Sequence, residues 1–557
     1  MTRREFLGGT MAVGAAPMMT RWLGPTRGPD GMRCINVVNF IRGVEPRFQT
    51  DLLLPVQKQM ELILAHKLPA TWLLQFDALV AGPFVDYLKT HMAGDHEVGF
   101  WFEMNEKLVR AAGVEWRGRP GYEWDWSPSV AFTIGYTPEE RIQLADAAMR
   151  EFKAIWGRYP SSVASWNLDS VALAHLSEHY GVSAFAVCRD QIATDGFTIW
   201  GAPIAGYYPS KVNCWSPALS KANQIHTPVF RMLGQDPVYY YGDDHPMPDG
   251  KRVRGPDTME PAWISGRDPA FIKNFLAMIE SAPTGRFAYA QLGQENSFPW
   301  PDTQVGYPLQ MAALGALRDR GLVHVETMGD TGRRFKGSFD TTPTQTQVML
   351  EDPFGNAEPA ETTVWYQSRF YRANLHFRGD LPYFRDITVY SDKFEQPFLR
   401  TATRLGEVSQ RMPAVLDGYH WRRAGVSDRP GAGGFFELDG KRLRLIRKPE
   451  VREVGDDLSV ALVFEGNRKL TVGFSEEGLW VHQAQWPNIG FRMAFEWDPG
   501  KSALTSVTPS EVKYRWQEFD YRVKVATGTA EPTPTGFVVA PASGGDFPGG
   551  ELIDLGF

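Results

Sequence analysis

The chain holds 557 residues, 43% of them apolar and 22% charged, with a formal net charge of −7. That length allows two to four domains, and that composition excludes a disordered chain. The acidic balance gives no general pull toward nucleic acid, and beyond the first twenty residues no apolar run is long enough to span a bilayer as a helix. Three cysteines, Cys34, Cys188 and Cys214, are too few for a disulfide framework. Aromatic residues reach 13%. Rings that stack on sugar faces are one use for them, and aromatic cores are another.

The first segment reads as an address. Thr2-Arg3-Arg4-Glu5-Phe6-Leu7 resembles the twin-arginine export motif, and the apolar Gly/Ala-rich stretch to Met19 reads as a signal h-region. Residues 1–30 are therefore expected to direct export to the periplasm or the exterior.

Short apolar runs then alternate with helical patterns over residues 31–338. Strands are expected at Cys34–Ile41, Ala70–Phe76, Glu97–Glu103, Ser162–Leu168, Ser183–Cys188, Pro228–Leu233, Phe287–Leu292 and Leu322–Thr327. Helices are expected at Asp51–His66, Pro83–His91, Thr137–Trp156, Asp169–Tyr180 and Leu309–Arg320. Thr137, Pro138 and Glu140 spell a capping box with proline at the first helical position. Alternation of this kind predicts an α/β fold, a deformed (β/α)7-type barrel. Residues 339–557 change character. Short alternating runs such as Leu458–Phe464 and Leu479–Gln485 predict an antiparallel β-sandwich, and Thr527–Gly550 reads as a loose tail.

Functional side chains of a parallel barrel sit at the C-terminal ends of its strands. Those ends carry Arg42, then Gln75 and Asp77, then Trp101 and Glu103, then Trp166, Asn167 and Asp169. Arg231 and Asp236 follow, and finally Gln294, Glu295 and, a little further on, Trp300. Two carboxylates flanking a bond are the equipment of glycoside hydrolysis. Strand alternation places Glu97, Gly99, Trp101 and Glu103 on one face, and Ser165, Asn167 and Asp169 on another. Asp169 also stands where it would cap the following helix.

Gly94-Asp95-His96-Glu97-Val98-Gly99 resembles the "GHEIGNHTYSH" segment of NodB-like polysaccharide deacetylases. Leu68-Pro69-Ala70-Thr71-Trp72 resembles their "ATFF" strand, and Tyr159-Pro160 through Tyr180-Gly181 resembles their "P…FRPPYG…YGV" region. The resemblance covers about residues 32–235 and implies their deformed barrel. It also places the family's metal-binding acids at Ile41 and Arg42 and its two histidines at Trp101 and Asn105, none of which suits a divalent cation. His175 and His179 keep an H-x-x-x-H spacing, but on a predicted helix. The layout is similar to glycoside hydrolase family 57, whose nucleophile and acid/base fall by position at Asp169 and Glu295.

The expectation is thus a secreted, metal-independent glycoside hydrolase without cofactor. Asp169, Glu295 and Glu103 are its catalytic carboxylates. Arg42, Gln75, Asp77, Trp101, Trp166, Asn167, Arg231, Asp236, Gln294 and Trp300 hold a carbohydrate. A metal-dependent polysaccharide deacetylase and a non-catalytic carbohydrate-binding protein are the alternatives. No nucleic-acid partner and no integral membrane segment are expected, and the oligomeric state is open.

Overall fold

The computed structural model describes residues 31–47, 50–232, 283–351, 359–424, 430–483, 491–543 and 550–557, with short pieces between 245 and 281. The expected export segment, residues 1–30, lies outside the described residues. No helix among the described residues is long and apolar enough to cross a membrane.

Strands β1 (Met32–Ile41), β2 (Thr71–Leu74), β3 (Glu97–Trp101), β4 (Ser162–Ala164) and β5 (Ala184–Cys188) open the barrel. A hairpin of β6 (Gln191–Thr194) and β7 (Phe197–Trp200) follows, then β8 (Gly206–Tyr207) and β9 (Val229–Met232). After a two-residue ribbon of β10 (His245–Pro246) and β11 (Arg252–Val253) come β12 (Phe287–Leu292) and β13 (His324–Val325). The order across the main sheet is β12-β1-β2-β3-β4-β5-β9-β8. From β12 to β9 every pairing is parallel, and β8 lies antiparallel on β9. Helices cover the outside, so the strands are buried on both faces, and β2, β3, β4 and β5 are buried throughout.

No ladder joins β9 to β12 among the described residues. Rings close the seam instead: Phe230 on β9 meets Phe287 at 5.8 Å and Tyr289 at 4.9 Å. The barrel is nearly closed and is the α/β fold expected. The capping box also forms as read. The Thr137 side chain accepts from the Glu140 N–H, and Glu140 accepts from the Thr137 N–H at 2.8 Å.

Two strand ends matter for the site, one of them differing from expectation and the other, at Leu292, falling as expected. The fourth strand stops at Ala164 instead of running to Leu168. The strand leading to Glu295 stops at Leu292, because Gly293 adopts φ 121°. A Cβ at Gly293 would lie 1.9 Å from the Val38 carbonyl oxygen, so only glycine lets the two chains approach there.

After the helix Met328–Ser338, two antiparallel sheets form the sandwich-like C-terminal region. Its strands show the expected two-residue period, with Leu458, Val460 and Leu462 buried and the residues between them less so. The stretch expected as a loose tail instead supplies the hairpin Thr529–Thr533 and Gly536–Ala540. Pro532 is tolerated because its strand is a sheet edge.

Candidate active site

The C-terminal end of β1 delivers Arg42, and three groups fix it there. Asn296 accepts from the Arg42 N–H at 2.8 Å and donates to the Arg42 carbonyl at 3.0 Å, clamping the backbone. The guanidinium donates to Glu103 at 2.7 Å and to Glu295 at 3.3 Å. Its flat face lies 4.2 Å from the centre of the Trp124 ring. Arg42 is only 1% exposed. Burial works against its charge, but Glu103, Glu295, Glu45 and Asp195 outweigh that and hold its pKa above the ordinary value.

Glu103 sits just past β3. It also accepts from the Trp101 indole N–H at 2.9 Å and from the Gln75 amide at 3.4 Å. Burial pushes its carboxyl up to about 7, against the opposing pull of Arg42 and the indole. Glu295 accepts from the Ser297 hydroxyl at 2.6 Å through its other oxygen. Phe40 stacks on Trp101 at 4.0 Å, and Trp166 meets both rings edge-on at 5.2 Å.

A cleft of about 400 Å³ opens over this floor, lined among others by Arg42, Arg47, Trp166, Asp195, Glu295 and Phe298. Arg47 is tied to Glu45, with its Nε at 2.7 Å. Asp195 comes from the turn of the β6–β7 hairpin and faces Arg42, Glu295 and Arg47. Burial raises its carboxyl, and Glu295 adds to this while Arg42 opposes it.

The structure therefore brings together Arg42, Gln75, Trp101, Glu103, Trp166 and Glu295. It places other expected residues elsewhere. Asp169 caps the helix Ser170–Tyr180, accepting from Val171 N–H at 2.8 Å and Ala172 N–H at 3.2 Å, and it pairs with Arg141 at 3.1 Å. It is fully buried and does not line the cleft, so the expected nucleophile is a structural cap. The reason is the early end of β4, which voids the alternation that aimed Asp169 at the mouth.

Asp77 accepts from the N–H groups of Gly43 and Ala78 at 3.1 and 2.7 Å, so it shapes the loop after β1 instead of holding substrate. Arg231 is spent on the carbonyls of Cys188 and Pro203 at 2.8 Å each and on Asp190 at 3.1 Å. Asn167 and the side chain of Gln294 are buried, and among the described residues their amides find no hydrogen-bonding partner. Trp300 opens the short helix Trp300–Thr303 beside the cleft. Asp236 lies outside the described residues.

Sequence reading missed Asp195 and Trp124. The signal for Asp195 was present, since Asp-Gly between two short apolar runs marks a hairpin turn. Nothing local announced that this hairpin would overhang the barrel mouth. Trp124 carries no such signal.

No family model matches the chain, and no curated protein matches it. Solved structures do resemble it. One from Parabacteroides distasonis, named a "putative glycoside hydrolase/deacetylase", aligns at TM-score 0.51 and 14% identity over 69% of this chain and 91% of its own. A "putative polysaccharide deacetylase" from Mycobacterium smegmatis aligns at TM-score 0.32 and 13% identity, covering 58% and 96%. A family 4 acetyl xylan esterase from Clostridium thermocellum, in complex with cobalt, aligns at 0.27 and 9%, covering 56% and 94%. The first of these shows that the barrel is the NodB-like fold. The expected nucleophile Asp169 caps a helix, and the expectation of a glycoside hydrolase working through the Asp169–Glu295 pair is corrected.

Proposed function

We propose that the chain is an exported carbohydrate-active hydrolase that removes an acyl substituent from a glycan. The observation that carries this reading is the Arg42 guanidinium, buried between Glu103 and Glu295 at the floor of a cleft lined by Trp166 and Phe298. When water adds to an acyl carbonyl, negative charge develops on its oxygen. A cation fixed in advance at that place stabilises the charge without reorganising. Trp166 and Phe298 offer faces for a sugar ring, and Glu295 and Ser297 offer polar partners.

Deacetylases of this barrel hold a divalent metal on one aspartate and two histidines. By the resemblance, Arg42, Trp101 and Asn105 stand at those three positions, and each is committed elsewhere. Trp101 donates to Glu103, and Asn105 caps the helix Glu106–Ala111 through Leu108 N–H at 3.0 Å. No group of three or more His, Cys, Asp or Glu among the described residues is arranged to hold a metal ion. His175 contacts Asp146 at 2.5 Å on the outer helix Ser170–Tyr180, which is remote from this requirement. The described residues do not fit the metal, and the reading assigns carbonyl polarisation to Arg42.

The test measures acetate and reducing ends released from acetylated xylan and acetylated chito-oligosaccharides, with and without chelator. Acetate release that survives chelation supports the reading. Loss of release on chelation, restored by zinc or cobalt, overturns the role given to Arg42. New reducing ends without acetate overturn acyl removal itself, and saccharide binding without turnover leaves a binding protein. Export rests on Arg3 and Arg4, and changing both to lysine should retain the protein in the cytoplasm.

A further inference from the structure

We propose that Asp195 is the proton-carrying catalytic residue of this cleft, held over Arg42 by a hairpin that the C-terminal half of the chain pins in place. The inference deepens the acyl-hydrolase reading and rests on it.

The geometry begins with the turn. Asp195 and Gly196 are the two residues between β6 and β7, with φ 49° and 69°. A two-residue turn with both φ positive is the type I′ pattern, which matches the twist of its strands and fixes the direction of the tip. Ala193, two residues earlier and within β6 where its register with β7 shifts, also holds φ 56°, a conformation that a residue with a Cβ adopts only when its surroundings enforce it.

Those surroundings belong to a distant part of the chain. β7 pairs in parallel with Val408–Arg411, and Val408 N–H donates to the Gly196 carbonyl at 2.9 Å. The contact at the turn is tight enough that a Cβ on Gly196 would stand 2.4 Å from the Gly406 carbonyl oxygen. The hairpin tip is thereby wedged between the barrel mouth and the 406–411 segment. Its aspartate lines the cleft beside Arg42, Arg47 and Glu295.

Of the carboxylates here, Glu103 is committed to Arg42, Trp101 and Gln75, and Glu295 to Arg42 and Ser297. Asp195 lines the same cleft, with Arg42 and Arg47 as the opposite charges near it and Glu295 and Glu45 as the like ones. In the reaction, Asp195 takes a proton from water as the oxygen bonds to the acyl carbon. Arg42 holds the resulting oxyanion. The tetrahedral adduct then collapses, the bond from acyl carbon to sugar nitrogen or oxygen breaks, and Asp195 returns the proton to that leaving atom. Water and acylated sugar give carboxylic acid and free sugar, with no other reactant.

The experiment uses the full chain and two readouts. Acetate release from N-acetylglucosamine tetramer gives turnover. Isothermal titration calorimetry gives the affinity for that neutral tetramer and for the fully deacetylated, cationic glucosamine tetramer. Asp195→Asn should lower kcat by about 10²- to 10⁴-fold. It should leave affinity for the neutral tetramer within about twofold and weaken the cationic one about fivefold or more, a loss of roughly 1 kcal/mol. Gly196→Ala should lower kcat with Asp195 intact, because the tip must move away from Gly406. Asp195→Asn with more than half of the parental kcat, or with no selective loss for the cationic tetramer, overturns the proposal. If the parent protein releases no acetate, the acyl-hydrolase reading fails. The affinity comparison then decides whether Asp195 faces the acyl-bearing atom.

Discussion

Glu295 and Asp169 are both carboxylates and nearly solvent-free, yet one faces a cleft and the other does not. Type and position at a strand end could not separate them, because a carboxylate that caps a helix and one that lines a site look alike in sequence. The structure separates them by partners. Asp169 shares its oxygen with two helix N–H groups and Arg141, and Arg141 also donates to the carbonyls of Phe398 and Thr401 at 2.7 and 2.6 Å. Asp169→Asn keeps the cap but leaves Arg141 short of its buried anion. Thermal unfolding should show a loss of roughly 3 kcal/mol, with saccharide affinity in the cleft unchanged. An equally stable variant with abolished binding would return Asp169 to the site.

Glu103 and Asp77 make the residue scale pH-dependent. Burial pushes Glu103 up to about 7 and Asp77 up to about 6. Both folded values lie above the unfolded ones near 4, so the folded state binds the extra protons. Their stabilising contribution is full below about pH 4 and is lost as pH rises through about 6 to 7. Glu103→Gln is neutral throughout and lacks the upper part of that loss. Between about pH 5 and 8 the parent should lose some 2–3 kcal/mol more than the variant. Parallel stability curves for the two would show that Glu103 does not titrate there.

Among the elements, the barrel strands and the helix from Pro138 to Trp156 were legible from periodicity and capping, since those signals are local. The end of β4 at Ala164 was not, because it depends on where the ladders to its neighbours β3 and β5 stop. The seam between β9 and β12 is likewise a matter of packing. Phe287 touches Phe230 and also Phe335 at 4.9 Å, filling the place where no ladder holds the strands. Phe287→Ala should cost about 3–5 kcal/mol by leaving a cavity in that seam, which a denaturant titration would read as a lower midpoint. A change under about 1 kcal/mol would mean that the seam closes by other means.

The whole molecule is joined by a buried ion network. Arg372 of the sandwich strand Tyr371–Arg378 donates to Asp190, just past β5, at 2.8 Å and to Asp386 on Leu381–Val389 at 3.1 Å. Arg231 pairs with the same Asp190. Burial alone would raise the Asp190 carboxyl, but Arg372 and Arg231 hold it below its ordinary value. Arg372→Met would take the buried cation from Asp386 and leave Asp190 with Arg231 alone, at a cost of about 3–5 kcal/mol. Limited proteolysis should then cut near residue 340, while the parent resists. The segment there is no tether: Arg286 N–H donates to the Thr344 carbonyl at 3.0 Å, and Thr346 N–H to the Thr284 carbonyl at 3.2 Å. Two separately soluble halves from the parent would contradict this account.

Local pattern sufficed for the class of fold, because burial on both faces, two-residue alternation and capping are written in neighbouring residues. It also determined that Arg42, Glu103 and Glu295 lie at strand ends. Which charges meet is set by the folded chain. Arg42 and Glu295 are 253 positions apart, and Asp195 reaches the cleft through a hairpin gripped by residues 406–411. Such pairings arise when burial forces each charge to find a partner, and the partner is chosen by chain paths that no local pattern records.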